Sequence, residues 1–156
     1  MALDRRGNLD AGRRDLELVV EKGFLENDDA RTLLAIVYTR QGMFDLAMTK
    51  LSELHAKYPE NYLVHLDIAA LEMLSNHPAQ ALATYRQILT KDYANLERAA
   101  VLTRLGVASR MAGDLAESER WLREAGETRN NSAASLGIAR LEWGKTLDLR
   151  LQRTAA

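Results

Sequence analysis

The sequence predicts an all-α fold of stacked helical hairpins, and three observations carry that prediction. Apolar residues recur three and four positions apart, as in Leu33, Leu34, Val37 and Tyr38 or in Ala47, Leu51 and Leu54, while strand-like alternation is absent. A set of seven positions recurs at a near-constant stride along the chain. Residues that accept a left-handed backbone fall at one phase of that stride, at Gly42, Asn76 and Gly113.

Helices account for nearly every segment. Apolar-periodic blocks run about a dozen residues and stop at Gly or Asn, and proline is confined to Pro59 and Pro78. Pro78 follows the turn at Asn76 and His77, where it suits the first turn of a helix.

The recurring set is Arg31, Leu34, Ala35, Tyr38, Ala47, Leu51 and Pro59. A step of 34 residues reaches His65, Ile68, Ala69, Glu72, Ala81, Tyr85 and Tyr93; a further step of 37 reaches Leu102, Leu105, Gly106, Ser109, Ser118, Leu122 and Asn130. The three extra residues fall near Tyr93 to Arg98, between units. Small residues stand where two helix backbones approach: Ala35, Ala69 and Gly106 on the first helix of each unit, Ala47, Ala81 and Ser118 on the second. Large ones at Leu34, Ile68 and Leu105 and at Leu51, Tyr85 and Leu122 fill the space between.

The first set resembles the signature of the tetratricopeptide repeat family, W-x2-L-G-x2-Y, then A-x3-F, then P, with the opening aromatic replaced. The resemblance spans roughly Asp28 to Asn130. It implies a right-handed superhelical α-solenoid, a single domain over residues 1–156 divided into a partial repeat at 7–26, repeats at 28–61, 62–95 and 99–132, and a capping helix at 133–151. Gly7, Gly12, Leu16 and Val19 read as the second half of the partial repeat. In the last helix, Leu136, Trp143, Leu147 and Leu151 are expected on one face, with Arg140, Lys145 and Arg150 on a polar outer side. The front end has no matching cap. The expectation is a chain cut from a longer protein, or one whose uncapped N-terminal end pairs with a second copy as a homodimer.

The resemblance also places a partner. Members of the family bind extended peptides or helices on a concave groove lined by the first helices. Counted from Asp28, Tyr62 and Ala99, the groove-facing residues are Asp29, Thr32, Leu33, Ile36, Thr39 and Arg40; Leu63, Leu66, Asp67, Ala70, Met73 and Leu74; and Ala100, Thr103, Arg104, Val107, Arg110 and Met111. The alternative is that several of these side chains pack against the neighbouring repeat. Chaperone-binding members hold a C-terminal carboxylate with Lys and Asn in the first unit, Asn in the second, and Lys and Arg in the third. Here Thr32 and Ile36, Asp67, then Ala100 and Arg104 stand at those positions. Only Arg104 agrees, and Asp67 would repel the ligand, so heat-shock chaperone tails are not the expected partner.

The bulk composition narrows function further. Of 156 residues, 47% are hydrophobic and 28% charged, outside the range of disordered chains. The net charge of -1 argues against nucleic acid, whose phosphates call for a basic excess. There is no cysteine for disulfides or thiolate sites, and no apolar window long enough to insert into a membrane. The excess of arginine over lysine points to genome composition. The chain is expected to be cytoplasmic by default, or periplasmic if cut from an exported protein.

Catalytic patterns are missing. His55, His65 and His77 form no metal-binding helical pair, no phosphate-binding glycine loop or nucleophile elbow is present, and Glu117 and Glu119 point apart on a helix. His65, Trp121 and Trp143 read as packing residues, and Asn130-Asn131-Ser132 as a glycosylation acceptor without a known secretory context. The expected function is a protein-interaction scaffold with no cofactor, no metal and no enzymatic activity. The alternative is a recruiting or regulatory region of a larger envelope, secretion or glycan-processing enzyme or assembly.

Overall fold

The computed structural model describes residues 5–22, 27–93, 95–129 and 131–154. The start at Met1 to Asp4, the end of the partial repeat at 23–26, and Asn130 therefore lie outside the described residues. Among these, the chain is all-α: α1 (Arg5–Lys22), α2 (Asn27–Arg40), α3 (Phe44–Lys57), α4 (Tyr62–Leu74), α5 (Pro78–Thr90), α6 (Arg98–Met111), α7 (Leu115–Glu127) and α8 (Ala133–Thr154). No described helix is long and apolar enough to cross a membrane.

The three turns anticipated at Gly42, Asn76 and Gly113 share one geometry. Each of these residues has positive φ, at 74°, 64° and 90°. The amide after each donates to a carbonyl five residues back, Met43 to Tyr38, His77 to Glu72 and Asp114 to Ser109, at 2.8, 2.8 and 3.0 Å. The turn residue's own amide donates three residues back, to Thr39, Met73 and Arg110. This double closure satisfies carbonyls that a helix end leaves open and requires a left-handed residue. The next helix then starts at once, with Ala47, Ala81 and Ser118 donating to the carbonyls of Met43, His77 and Asp114. Pro78 is the first residue of α5.

The chain forms two compact units, Met1–Leu71 and Glu72–Ala156, and the division falls within α4. In the first unit, Leu34, Ala35, Tyr38, Ala47, Leu51 and Leu71 make a buried core, with Leu16, Val20, Phe44, Met48 and Ile68 packed around it. From α1 it is thus Leu16 and Val20 that turn inward; Val19 is exposed. Tyr38 reaches back from α2 to donate to Glu17 of α1 at 2.8 Å. Burial first, and then the Glu17 carboxylate, raise the Tyr38 phenol above its ordinary pKa. The far ends of α2 and α3 are tied by Asp28, which accepts from Arg31 at 3.0 Å, from Tyr58 at 2.6 Å and from Lys57.

In the second unit the smallest residues permit the closest approach. Gly106 faces Leu122 so tightly that a Cβ there would lie 2.5 Å from Leu122 Cγ. Leu102, Leu105, Leu122, Ala125 and Ala139 are wholly buried. Trp121 packs beside this core, and the Arg120 guanidinium lies over its ring at 4.3 Å. Asn131 accepts from the first-turn amide of Ala99 at 3.0 Å, and Glu97 accepts from Ser135 at 2.8 Å, fixing the entry of α8 beside the start of α6.

α8 rests on α6 and α7 through Ala139 and Thr146, both fully buried. The face is therefore one step away from the expected Leu136–Trp143–Leu147–Leu151 line. Leu136 and Trp143 are half-buried, Leu147 is at the margin, and Leu151 is 68% exposed. The outer face is also not polar, because it presents Ile138 and Leu141 at 55% and 60% exposure. The physical reason is the register set by Arg110 and Ser118, whose polar groups call for Thr146 and Glu142 on the inner side.

Candidate protein-interaction surface

The first helices α2, α4 and α6 each carry one exposed line. Counting from Asp28, Tyr62 and Ala99, positions 2, 6, 9 and 13 are spaced by four, three and four residues, which places them on one helical stripe. On α2 the stripe is Asp29, Leu33, Ile36 and Arg40, all exposed. On α4 it is Leu63, Asp67 and Leu74, exposed, with Ala70 half-buried. On α6 it is Arg104 and Met111, exposed, with Ala100 and Val107 half-buried.

Positions 5 and 12 turn the other way. Leu66 and Thr103 are buried, and Met73 is half-buried. Thr32 is exposed, yet its hydroxyl donates back to the Asp28 carbonyl at 2.9 Å, as buried Thr103 does to Ala99 at 2.7 Å. Thr39 does the same to Ala35. These hydroxyls are spent on their own helix.

Arg110 is also occupied. Its guanidinium donates to the Glu142 carbonyl at 3.1 Å, to Thr146 Oγ1 at 3.2 Å, and to the Glu142 carboxylate. Both side chains of that ion pair are about five-sixths buried, 16% and 15% exposed. Burial alone would raise the Glu142 carboxyl, but hydrogen bonds from Lys145 and Arg110 outweigh it and hold its pKa below the ordinary value. Thr146 passes the network on to Ser118 Oγ at 3.0 Å, inside the packing of α6, α7 and α8. Arg110 is thus a clasp between helices. The sequence signal for this was weak: its partners lie 32 and 36 residues onward, on a helix read as apolar-faced.

Of the residues expected to meet a partner, then, Ile36, Arg40, Asp67 and Arg104 lie on exposed stripe positions, and Ala70 and Val107 lie on the stripes half-buried. The stripes are mixed in character. Leu33, Ile36, Leu63, Leu74 and Met111 expose between 45% and 61% of their surface, alternating with the charges of Asp29, Arg40, Asp67 and Arg104. Exposed apolar side chains recurring along a helix stripe are the kind of surface that protein partners cover.

Comparison with known proteins agrees with this architecture. Residues 38–105 match the model of the tetratricopeptide repeat family. No curated protein matches the chain. Among solved structures, the fold is similar to a MamA RS-1 ArsTM double mutant, with a TM-score of 0.65 and 14% identity over 97% of this chain and 90% of that one. It is similar to MamA 41-end from Desulfovibrio magneticus RS-1, with a TM-score of 0.64 and 14% identity over 95% and 89%. A crystal structure of MamA gives 0.64 at 12% identity over 100% and 99%. At such identities the likeness is one of fold. The recurring turns, the alternation of small and large core residues and the family match converge on tetratricopeptide repeats at residues 38–105, and over the rest of the chain the likeness is one of fold.

Proposed function

We propose that the chain is a protein-interaction scaffold, and that a peptide or helix of a partner protein packs on the exposed first-helix stripe that each compact unit carries. One observation carries the reading: positions 2, 6, 9 and 13 are the outward line on all three first helices, and they keep apolar side chains in water. The apolar face of α8 is comparable in exposure but does not recur in the repeats, so it serves as the comparison surface. The charges on the stripes, Asp29, Arg40, Asp67 and Arg104, would set orientation and register of the bound segment rather than most of its affinity.

The test uses affinity capture with quantitative mass spectrometry. A Leu33→Glu/Ile36→Glu variant of α2 should lose captured partners at least tenfold, and an Arg104→Glu variant of α6 should lose a smaller share, while circular dichroism stays that of the parent. An Ile138→Glu/Leu141→Glu variant of α8 should retain them. Capture that survives the stripe changes and vanishes with the α8 change would overturn the reading. Arg110 is unsuitable as a probe, because replacing it breaks the clasp and confounds binding with folding.

A further inference from the structure

Two histidines lie against each other at the junction of α3 and α4. His55 lies three positions from the start of the turn at Tyr58, and His65 lies in the first turn of α4. The turn between them is fixed: Tyr58 N donates to the Leu54 carbonyl at 2.8 Å, Asn61 N to the Tyr58 carbonyl at 3.0 Å, and Leu63 N to Asn61 Oδ1 at 3.1 Å. This geometry brings His55 Nε2 to 3.0 Å from His65 Nε2. The ring centroids are 4.0 Å apart with planes tilted by 57°. Both residues are half-buried, and His55 Nδ1 is buried without a hydrogen-bond partner.

We propose that His55 and His65 form a two-imidazole chelate for a divalent transition cation, copper(II) or nickel(II), that clips α3 to α4. Two nitrogens 3.0 Å apart, each at a metal–nitrogen distance of about 2.05 Å, subtend an angle of roughly 94°. That is the cis angle of square-planar and octahedral sites, which copper(II) and nickel(II) prefer. Imidazole suits these cations, and copper(II) heads their affinity order.

The pair must adjust slightly to bind. Pointing both lone pairs at one ion takes the ring centroids to roughly 4.7 Å, a small outward rotation from 4.0 Å. The proton shared between the Nε2 atoms has to leave that position, so both rings become Nδ1–H tautomers. No third histidine, cysteine, aspartate or glutamate completes a site among the described residues, and water fills the remaining positions.

The experiment titrates the full chain with copper(II) sulfate in a non-coordinating buffer and follows the histidine ring resonances by NMR. Sub-stoichiometric copper should broaden the His55 and His65 rings together, before that of His77. Isothermal titration should give one site, and His55→Gln should raise its dissociation constant at least tenfold, with circular dichroism confirming the fold. The wild-type spectra do not depend on any variant folding. If His77 or the N-terminal residues broaden first, or if His55→Gln binds copper as tightly as the parent, the two histidines are merely a hydrogen-bonded packing pair and the proposal fails.

Discussion

A single methyl group at position 106 tests how closely α6 and α7 approach. Glycine to alanine inside a helix ordinarily gains about 0.5–1 kcal/mol. Here the new Cβ would meet Leu122 Cγ at 2.5 Å and the Ser118 carbonyl oxygen at 3.2 Å, and Leu122 is itself wholly buried. Overpacking wins, and Gly106→Ala should cost about 1–3 kcal/mol in urea unfolding. A gain in stability would mean that Leu122 has room to move. Half-buried Asp28 has its carboxyl held down to about 2 chiefly by the hydrogen bond from Lys57, then by that from Tyr58. Its unfolded value is the ordinary 3.8, so its contribution is complete above that value and disappears as pH falls toward 2. Asp28→Asn should therefore flatten part of the dependence of melting temperature on pH between 4 and 2, and leave the neutral-pH slope unchanged.

At the scale of the element, α8 shows where sequence reading stops. The turns at Gly42, Asn76 and Gly113 were legible because their chemistry is local: one residue type supplies the left-handed conformation, and the hydrogen bonds follow within five residues. The core positions were legible because the stride repeats, so Leu34, Leu105, Ala47, Ala81, Ser118 and Leu122 are all buried. α8 has no second copy to compare with, and a polar partner chooses its inner face. Ser118, Thr146, Arg110 and Glu142 make a network that no apolar count could reveal. For the same reason the outward stripe could not be separated from positions 5 and 12 before the helix registers were known. Removing Arg110 or Glu142 alone should destabilise the chain, since each leaves the other charge half-desolvated. In the double-mutant cycle of Arg110→Ala with Glu142→Ala, the coupling should be about 1–3 kcal/mol. A coupling near zero would make the clasp incidental to the docking of α8.

For the whole molecule, the question is how energy is distributed along a chain of repeats. The core around Leu34, Tyr38, Leu51 and Leu71 belongs to the first compact unit, and the core around Leu102, Ala125 and Ala139 to the second. In repeat proteins stability is close to a sum of repeat terms and nearest-neighbour terms, so damage to separate cores should add. Leu34 and Leu105 are the same position in their respective repeats, 1% and 0% exposed. Each change to alanine deletes buried methyl groups and leaves a cavity, so each should cost roughly 2–5 kcal/mol. The Leu34→Ala/Leu105→Ala double variant should then equal the sum of the singles within about 0.5 kcal/mol. Hydrogen exchange supplies the spatial half of the test: Leu34→Ala should speed exchange mainly in α2 and α3, and Leu105→Ala mainly in α6, α7 and α8. A coupling above about 1 kcal/mol, or one pattern of exchange for both variants, would show a single cooperative core. The repeat positions would then share an ancestry of pattern without sharing an independent energetic unit.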